Sequence, residues 1–212
     1  MDIVTHFALG TVVGELFHGK KAGKSALVWG AIAGLFPDID MFVYPWFEPS
    51  RAMLIHRGFS HSFLWIILIT PVLGWLASVS TKKYCNITPK QWSLMIITNM
   101  ALHIVLDLFT NFGTSIFLPF SSARYAVSTI AIVDIFFTLP LLIAALWLLF
   151  VKSTNKYRLV FSYMCMLIST LYFSFTVINK AHANGVFEKA LFKQKKPFYQ
   201  VKAYPQLPFN FS

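Results

Sequence analysis

The sequence predicts an all-α membrane protein that crosses the bilayer several times. Of its 212 residues, 57% are hydrophobic and only 12% are charged, a balance far from that of a soluble domain. Three long stretches are almost free of ionisable side chains: residues 58–81, where His61 is the exception, and residues 135–151 and 159–179, which contain only Tyr and Cys of this kind. Stretches of this length and composition span the hydrocarbon core of a membrane.

About six hydrophobic helical segments are expected. The first two, residues 3–17 and 25–36, are short, and each carries a stripe of small residues that repeats every four positions. The stripes are His6, Gly10 and Gly14 in the first segment and Ala26, Gly30 and Gly34 in the second. Small residues let two helices approach closely, so these segments are predicted to form a tightly packed hairpin, with a re-entrant path as one alternative. The other segments are expected at residues 62–80, 91–112, 127–151 and 159–179.

We divide the chain into a membrane-embedded domain, residues 1–180, and a basic tail with aromatic and Pro residues, residues 181–212. The net charge of +10 could suggest nucleic-acid binding, but the 18 Lys and Arg residues fall in short clusters between apolar segments. Such clusters are typical of membrane anchoring and topology, so no nucleic-acid partner is expected. Cys85 and Cys165 show no Cys-x-x-Cys spacing, which argues against a disulfide or a thiolate metal site.

His and Asp residues from several segments are expected to meet on one side of the membrane. If each apolar segment reverses the direction of the chain, eight of them lie near segment ends on the same side: His6, Asp38, Asp40, His56, His61, His103, Asp107 and Asp134. Structural polar residues scattered at random would not sort in this way. Three or more such ligands with an open position are typical of a catalytic site for a divalent metal.

The local spacing in this set leaves alternatives open. His103 and Asp107 are four residues apart and share a helix face, so they suit one metal ion, but they also suit a structural His–Asp pair. Asp38 and Asp40 follow Pro37, where carboxylates are common in turns. Arg57 could bind an anionic substrate oxygen or a lipid phosphate.

The remaining four histidine and carboxylate positions carry their own alternatives. His56 and His61 flank Arg57 and Gly58 and need not lie on one helix face. His6 could be a packed histidine bonded to a backbone carbonyl. Asp134 lies at the start of an apolar run, where a carboxylate needs a partner, and the histidines are its expected partners.

The orientation of the site follows from the distribution of basic residues. Turns on the opposite side, at 19–24, 82–90 and 152–158, hold nine Lys and Arg residues. Loops between segments on the site's own side hold Arg51, Arg57 and Arg124. By the positive-inside rule the site is predicted to face away from the cytoplasm, although the lysine-rich tail lies on the site's side and argues the other way.

Several short blocks together resemble the YdjM-type family, which is described as LexA-regulated, membrane-bound, metal-dependent hydrolases. The blocks are Thr5-His6-Phe7, Pro37-Asp38-Ile39-Asp40, the heptapeptide from His56 to Ser62, His103-Ile104-Val105-Leu106-Asp107 and Asn111-Phe112-Gly113-Thr114. The resemblance covers residues 1 to about 140. It implies an α-helical inner-membrane protein with a divalent-metal hydrolase site, more remotely similar to zinc-dependent phospholipases C and zinc nucleases.

The resemblance also implies which residues bind the metal. The ligands carried over are His6, Asp38, His56, His61, His103 and Asp107. Asp134 matches a recurrent Asp of the family, but Ile135 follows it here in place of the expected Pro.

The leading hypothesis is therefore a membrane hydrolase that holds one to three divalent ions, most simply zinc, and cleaves a phosphoester in a membrane lipid or a lipid-linked substrate. Asp38 or Asp40 would be a ligand or the general base, and Arg57 would stabilise developing negative charge. One alternative is a cation or proton transporter that uses the same His and Asp residues. Another is a scaffold or regulatory membrane protein with a structural metal site.

Overall fold

Six α-helices account for most of the structure, a computed structural model that describes residues 1–46, 57–193, 205–207 and 210–211. The helices are α1 (Ile3–Ala22), α2 (Lys24–Leu35), α3 (Phe63–Thr81), α4 (Pro89–Leu108), α5 (Ile135–Phe150) and α6 (Arg158–Lys193). Two 3-10 segments, Phe36–Trp46 and Phe59–His61, follow α2 and precede α3, and β1 (Pro205–Leu207) pairs with β2 (Asn210–Phe211). The predicted set of six helical segments is confirmed.

Three of these helices are long and apolar enough to cross a membrane. They are α3, α4 and α6, whose most apolar stretches have mean hydropathies of 2.0, 1.2 and 1.6. Helix α5 is strongly apolar but has only 16 residues. The expected crossings by α1, α2 and α5 stay predictions.

The first two helices form a hairpin in which their backbones touch. A Cβ atom on Gly14 would lie 2.1 Å from the carbonyl oxygen of Ala26, and one on Gly34 would lie 2.5 Å from that of His6. No real Cβ tolerates such distances, so only glycine permits this approach. The prediction of a tightly packed hairpin is confirmed. Its consequence is that His6 and Gly34, at the same end of the hairpin, lie at the same level.

Two helices end at positions that differ from those expected. Helix α1 continues to Ala22 rather than stopping near residue 17, and the turn is made by Gly23, whose φ of 55° suits glycine. Helix α4 ends at Leu108 rather than near residue 112. Beyond it, Thr110 N donates to Asp107 O, and the chain turns away at Gly113, which has a φ of 75°.

The last two helices also differ from expectation. Helix α5 begins at Ile135, not at 127, because the Asp134 side chain accepts hydrogen bonds from the backbone N–H groups of Phe136 and Phe137 and so caps the helix. Helix α6 continues to Lys193, well past residue 179. The expected domain boundary at 180 therefore falls inside a continuous helix.

The buried apolar side chains form two clusters on either side of the hairpin. One joins α1 to α5 and α6 through residues such as Val12, Leu141 and Cys165. The other joins α2 to α3 and α4 through residues such as Ala77 and Trp92. The hairpin thus connects two helix pairs, and the ends of α1, α2 and α4 meet beside the segment that precedes α3.

Candidate metal centre

Four buried side chains from three separate parts of the chain converge at this meeting point. Asp38 lies in the 3-10 segment after α2, His61 in the 3-10 segment before α3, and His103 and Asp107 in the last turns of α4. One ligand atom from each lies within 4.8 Å of all the others. His61, His103 and Asp107 are fully buried, and Asp38 is 8% exposed. This group could hold a metal ion.

The orientation of His103 leaves its Nε2 lone pair facing the group. Its Nδ1 lies 2.7 Å from the carbonyl oxygen of Gly34. A carbonyl only accepts, so the proton of the neutral imidazole is on Nδ1 and Nε2 is available as a ligand. A backbone carbonyl that fixes the tautomer in this way is usual for a metal-binding histidine.

His61 is oriented by a chain of hydrogen bonds that ends on Asp40. Ser60 Oγ donates to Asp40 Oδ2 at 2.9 Å, so its lone pair faces His61 Nδ1 at 3.0 Å and accepts that proton. The backbone N–H of Arg57 also donates to Asp40 Oδ2, at 3.1 Å. In the neutral imidazole this chain places the proton on Nδ1, and Nε2 points into the group.

The distances between the four ligand atoms fit a four-coordinate ion. His61 Nε2 lies 3.2 Å from His103 Nε2, 3.4 Å from Asp38 Oδ1 and 3.3 Å from Asp107 Oδ2. His103 Nε2 lies 3.5 Å from Asp38 Oδ1 and 3.7 Å from Asp107 Oδ2. A tetrahedral ion with bonds of about 2.0–2.1 Å holds its ligand atoms about 3.3 Å apart. The residues present therefore fit a divalent cation.

The charges of the group also favour a cation. Burial alone would raise the pKa of Asp38, but its contacts with the His103 and His61 side chains hold the pKa of this carboxyl well below its usual range. Burial alone would lower the pKa of His61, but hydrogen bonds and charge from Asp107 and Asp38 raise it above its usual value. The ionised form of Asp38 and the protonated form of His61 are thus both favoured, and a metal ion would take the place of the proton on His61.

His6 lies against the group rather than among the four converging atoms. Its ring stacks on that of His103, with centroids 3.5 Å apart and planes 17° apart. Its Nε2 lies 3.3 Å from Asp107 Oδ1, the oxygen that also accepts from the amino group of Met1. Asp107 therefore uses one oxygen toward His61 and His103 and the other toward His6.

Arg57 is held rigidly beside the group in an unusual backbone conformation. Its φ is 59°, and its N–H and C=O are both fixed, to Asp40 Oδ2 and to the N–H of Ser115. Its Nε lies 3.0 Å from Asp107 Oδ2, and Nη1 donates to Thr110 Oγ1 at 2.8 Å. A non-glycine residue at positive φ is costly and is found most often at functional sites.

A cavity of about 330 Å³ adjoins the group. Asp38 and Arg57 line it, so one candidate ligand and one cation face the same space. The rest of its wall includes Asp2 and is otherwise mainly apolar, formed by residues such as Met41, Phe112 and Ile132. A small anionic group that entered this cavity would contact the metal group and the guanidinium together.

Besides His6, two more expected metal ligands are not among the four converging side chains of the described residues. His56 lies outside the described residues. Asp134 is buried, but its Oδ1 caps α5 and its Oδ2 accepts a hydrogen bond of 2.9 Å from the hydroxyl of Tyr172. The histidine partners expected for Asp134 are therefore replaced by backbone N–H groups and a phenol.

A buried ion pair at the other end of the hairpin was missed by the sequence analysis. Arg158 donates from Nε and Nη2 to the two carboxylate oxygens of Glu15, at 3.0 and 2.6 Å. Its Nη1 donates to the carbonyl oxygens of Leu148 and Val151, at the C-terminal end of α5. Glu15 lies inside α1 and is buried. Glu15 lies four residues from both Thr11 and Gly19 in an apolar segment, and this spacing could have indicated that its side chain is buried.

The comparisons with known proteins agree with the membrane character of the helices. Residues 1–183 match the model of one protein family, described as YdjM inner membrane protein. The chain belongs to the YdjM inner membrane protein family. No curated protein and no solved structure matches it. The matched region of this YdjM family member contains all four converging residues, both 3-10 segments and the helices from α1 to the apolar part of α6.

Proposed function

We propose that this YdjM family member is a zinc-dependent hydrolase that cleaves a phosphoester of a membrane lipid. The observation that carries the proposal is the close spacing of four buried candidate ligand atoms next to a cavity that Arg57 lines. Such a site combines a metal with a fixed cation, and both favour an anionic substrate.

The ligand chemistry favours zinc over the harder divalent ions. Two imidazole nitrogens and two carboxylate oxygens form the set, from His61, His103, Asp38 and Asp107. Magnesium and calcium prefer all-oxygen sites with six or more ligands, whereas zinc accepts mixed nitrogen and oxygen ligands in a tetrahedron. The hydrogen bonds from His103 to Gly34 and from His61 to Ser60 supply the supporting contacts that zinc-bound histidines commonly have.

The protein's own residues divide the remaining tasks. Zinc, when bound, would supply a water of lowered pKa and polarise a phosphoryl oxygen. Arg57 would bind a second phosphoryl oxygen and stabilise its charge, since Asp107 and Thr110 hold its guanidinium at the cavity wall. For zinc to hold that water, one of the four candidate ligands must leave it. Asp38, which faces the cavity, would do so and accept the proton of the attacking water, whereas the Asp40 carboxylate positions His61. Hydrolysis consumes one water, whose hydroxyl joins phosphorus and whose proton ends on the leaving oxygen.

The cavity and the helices around it favour a lipid as the source of the phosphoester. The site lies at the ends of helices rather than in a soluble domain, and Asp38 and Arg57 share their cavity with apolar side chains such as Phe112 and Ile132. A phospholipid has a phosphate at the membrane surface and apolar chains below it, so it would match both the charged and the apolar parts of the cavity lining. The distribution of basic loops favours an orientation with this end of the molecule away from the cytoplasm, although the lysine-rich tail argues the other way.

The test is hydrolysis by the purified protein in mixed micelles of phosphatidylethanolamine and phosphatidylglycerol. Release of phosphate or phosphorylated headgroup, followed by phosphorus NMR, should require zinc and return when zinc is restored to chelated protein. Arg57→Lys should keep its zinc but lose most activity, because lysine cannot reproduce the contacts to Asp107 and Thr110 together. His182→Ala, on the exposed part of α6, is the matched control and should be unchanged. Chelated protein that remains fully active would refute the proposal.

A second candidate is a structural zinc site, favoured by the four protein ligands and by their burial. Closed four-ligand sites usually stabilise a fold, whereas catalytic sites keep a position for water. Measuring both thermal unfolding and lipid hydrolysis, with and without zinc, distinguishes the structural from the catalytic role. If the site is structural, removal of zinc lowers the unfolding temperature sharply and no wild-type preparation hydrolyses lipid. If it is catalytic, zinc-loaded wild type is active and Arg57→Lys is folded, loaded and slow.

A further inference from the structure

An apolar groove of about 270 Å³ lies on the outer side of the hairpin, between α1, α2 and the end of α5. Ala31, Val28 and Ile32 of α2 line it, and Val28 and Ile32 are 54% and 39% exposed, so the groove is open along its length. The polar side chain in its wall is Thr11, whose hydroxyl already donates to the carbonyl oxygen of Phe7 at 2.8 Å. The groove therefore presents an apolar surface.

The groove leads away from the cavity at the metal group. Its α2 wall runs from Leu27 to Leu35, eight residues or about 12 Å along the helix axis. Leu35 directly follows Gly34, which binds His103, so this end of the groove adjoins the site. The opposite end, at Leu27 and Leu149, lies toward the α1–α2 turn.

One face of α1 joins the two spaces. Ile3 lines the cavity, and Phe7 and Thr11 line the groove. Residues at positions i, i+4 and i+8 lie above one another on a helix, so these three side chains form one continuous strip. A ligand with its polar end at Arg57 can follow this strip from the cavity into the groove.

We propose that the groove holds one acyl chain of a diacyl phospholipid whose phosphate lies in the cavity; this rests on the proposed function. An acyl chain has no polar groups and needs none from the wall. An extended peptide would leave backbone N–H and C=O groups without partners in this groove, and a helix of a second copy is an outcome that the test below distinguishes. The groove thus makes the protein select lipids by chain as well as by headgroup.

The test is photolabelling in vesicles of phosphatidylethanolamine and phosphatidylglycerol that contain a phosphatidylglycerol with a diazirine on one acyl chain. Peptides that line the groove should be labelled more heavily than the α3 peptide with Ile67 and Leu68, which are 60% and 58% exposed. Ala31→Phe should reduce the groove label about tenfold relative to that α3 reference. Ala183→Phe, at another half-buried alanine in a helix, should leave the ratio unchanged.

Val28→Phe, at the exposed wall, is the second variant if Ala31→Phe does not fold. The proposal is overturned if the groove is labelled no more heavily than α3, or if labelling is unchanged in the filled variants. It is also overturned if a crosslinked second copy protects the groove from labelling. Photolabelling does not require hydrolysis of the lipid, so the acyl-chain site and the hydrolase function are tested independently. A labelled groove in a protein that never hydrolyses lipid contradicts the proposed function alone, and zinc-dependent hydrolysis with an unlabelled groove contradicts the acyl-chain site alone.

Discussion

His103 Nδ1 donates a 2.7 Å hydrogen bond to the carbonyl oxygen of Gly34. The bond joins the turn of α4 that carries the candidate ligand His103 to the end of α2, at the level where α1 and α2 are in backbone contact. The small residues of the hairpin and the histidine of the metal group are therefore parts of one arrangement. The hairpin brings a backbone acceptor to the place where it fixes the tautomer of a candidate ligand.

The contribution of individual histidines to metal binding is testable by elemental analysis. His61→Ala should lose most of its zinc, because it removes the ligand that lies within 3.4 Å of the three others. His6→Ala should retain close to the wild-type amount, since His6 stacks on the group from outside. His182→Ala is the control. Equal metal contents in His61→Ala and wild type would contradict the four-ligand site.

Zinc affinity is expected to fall as the pH is lowered through the raised pKa of His61. Below that pKa His61 carries a proton on the nitrogen that would bind zinc, whereas Asp38, with its lowered pKa, stays ionised. Displacement of one proton costs about a factor of ten in affinity for each pH unit below the pKa. Competition with a chelator at a series of pH values measures this slope. An affinity that is flat from mildly alkaline to mildly acidic pH would show that His61 is not a ligand.

Asp134→Ala separates the sequence-based role of Asp134 from its structural role. Loss of the cap of α5 and of the bond from Tyr172 should reduce the free energy of unfolding by about 1–2 kcal/mol. Zinc content should stay at the wild-type value. Thermal unfolding and elemental analysis of the same preparation give both results, and loss of zinc in a folded variant would restore Asp134 to the metal site.

The backbone contact of the hairpin predicts a large effect from one methyl group. Gly14→Ala would put a Cβ atom 2.1 Å from the carbonyl oxygen of Ala26, so the helices must separate, at a cost of about 1–3 kcal/mol or more. Gly185→Ala, in α6, meets nothing within 4 Å and should be neutral or stabilising by up to about 1 kcal/mol. Thermal unfolding compares the two variants. Equal stabilities would mean that the hairpin is not packed through Gly14.

The buried pair of Glu15 and Arg158 should be costly to break. Glu15→Gln removes the charge that both Arg158 nitrogens contact and leaves a buried guanidinium without a counter-charge, which typically costs about 3–5 kcal/mol. Glu188→Gln, at an exposed position in the same helix as Arg158, is the control and should change stability little. A Glu15→Gln variant as stable as this control would show that the pair is hydrated.

The sequence could predict the features that depend on local spacing. Repeats of four residues placed Gly10, Gly14, Gly30 and Gly34 on helix faces, and the structure puts those faces in contact. The same period put His103 and Asp107 on one face of α4, and both point into the metal group. Local spacing could not predict where α5 begins, because that depends on whether Asp134 turns toward its own backbone or toward a distant histidine.

Composition and periodicity by themselves determined that the chain is helical, membrane-bound and equipped with histidines and carboxylates at one end of its helices. Only the tertiary structure decided which carboxylate does what: Asp38 faces the cavity, Asp40 holds His61 through Ser60, and Asp134 caps a helix. The physical reason is that a buried carboxylate takes the donors that packing brings within about 3 Å of it. Those donors come from segments far apart in the sequence, and no spacing along one segment specifies them.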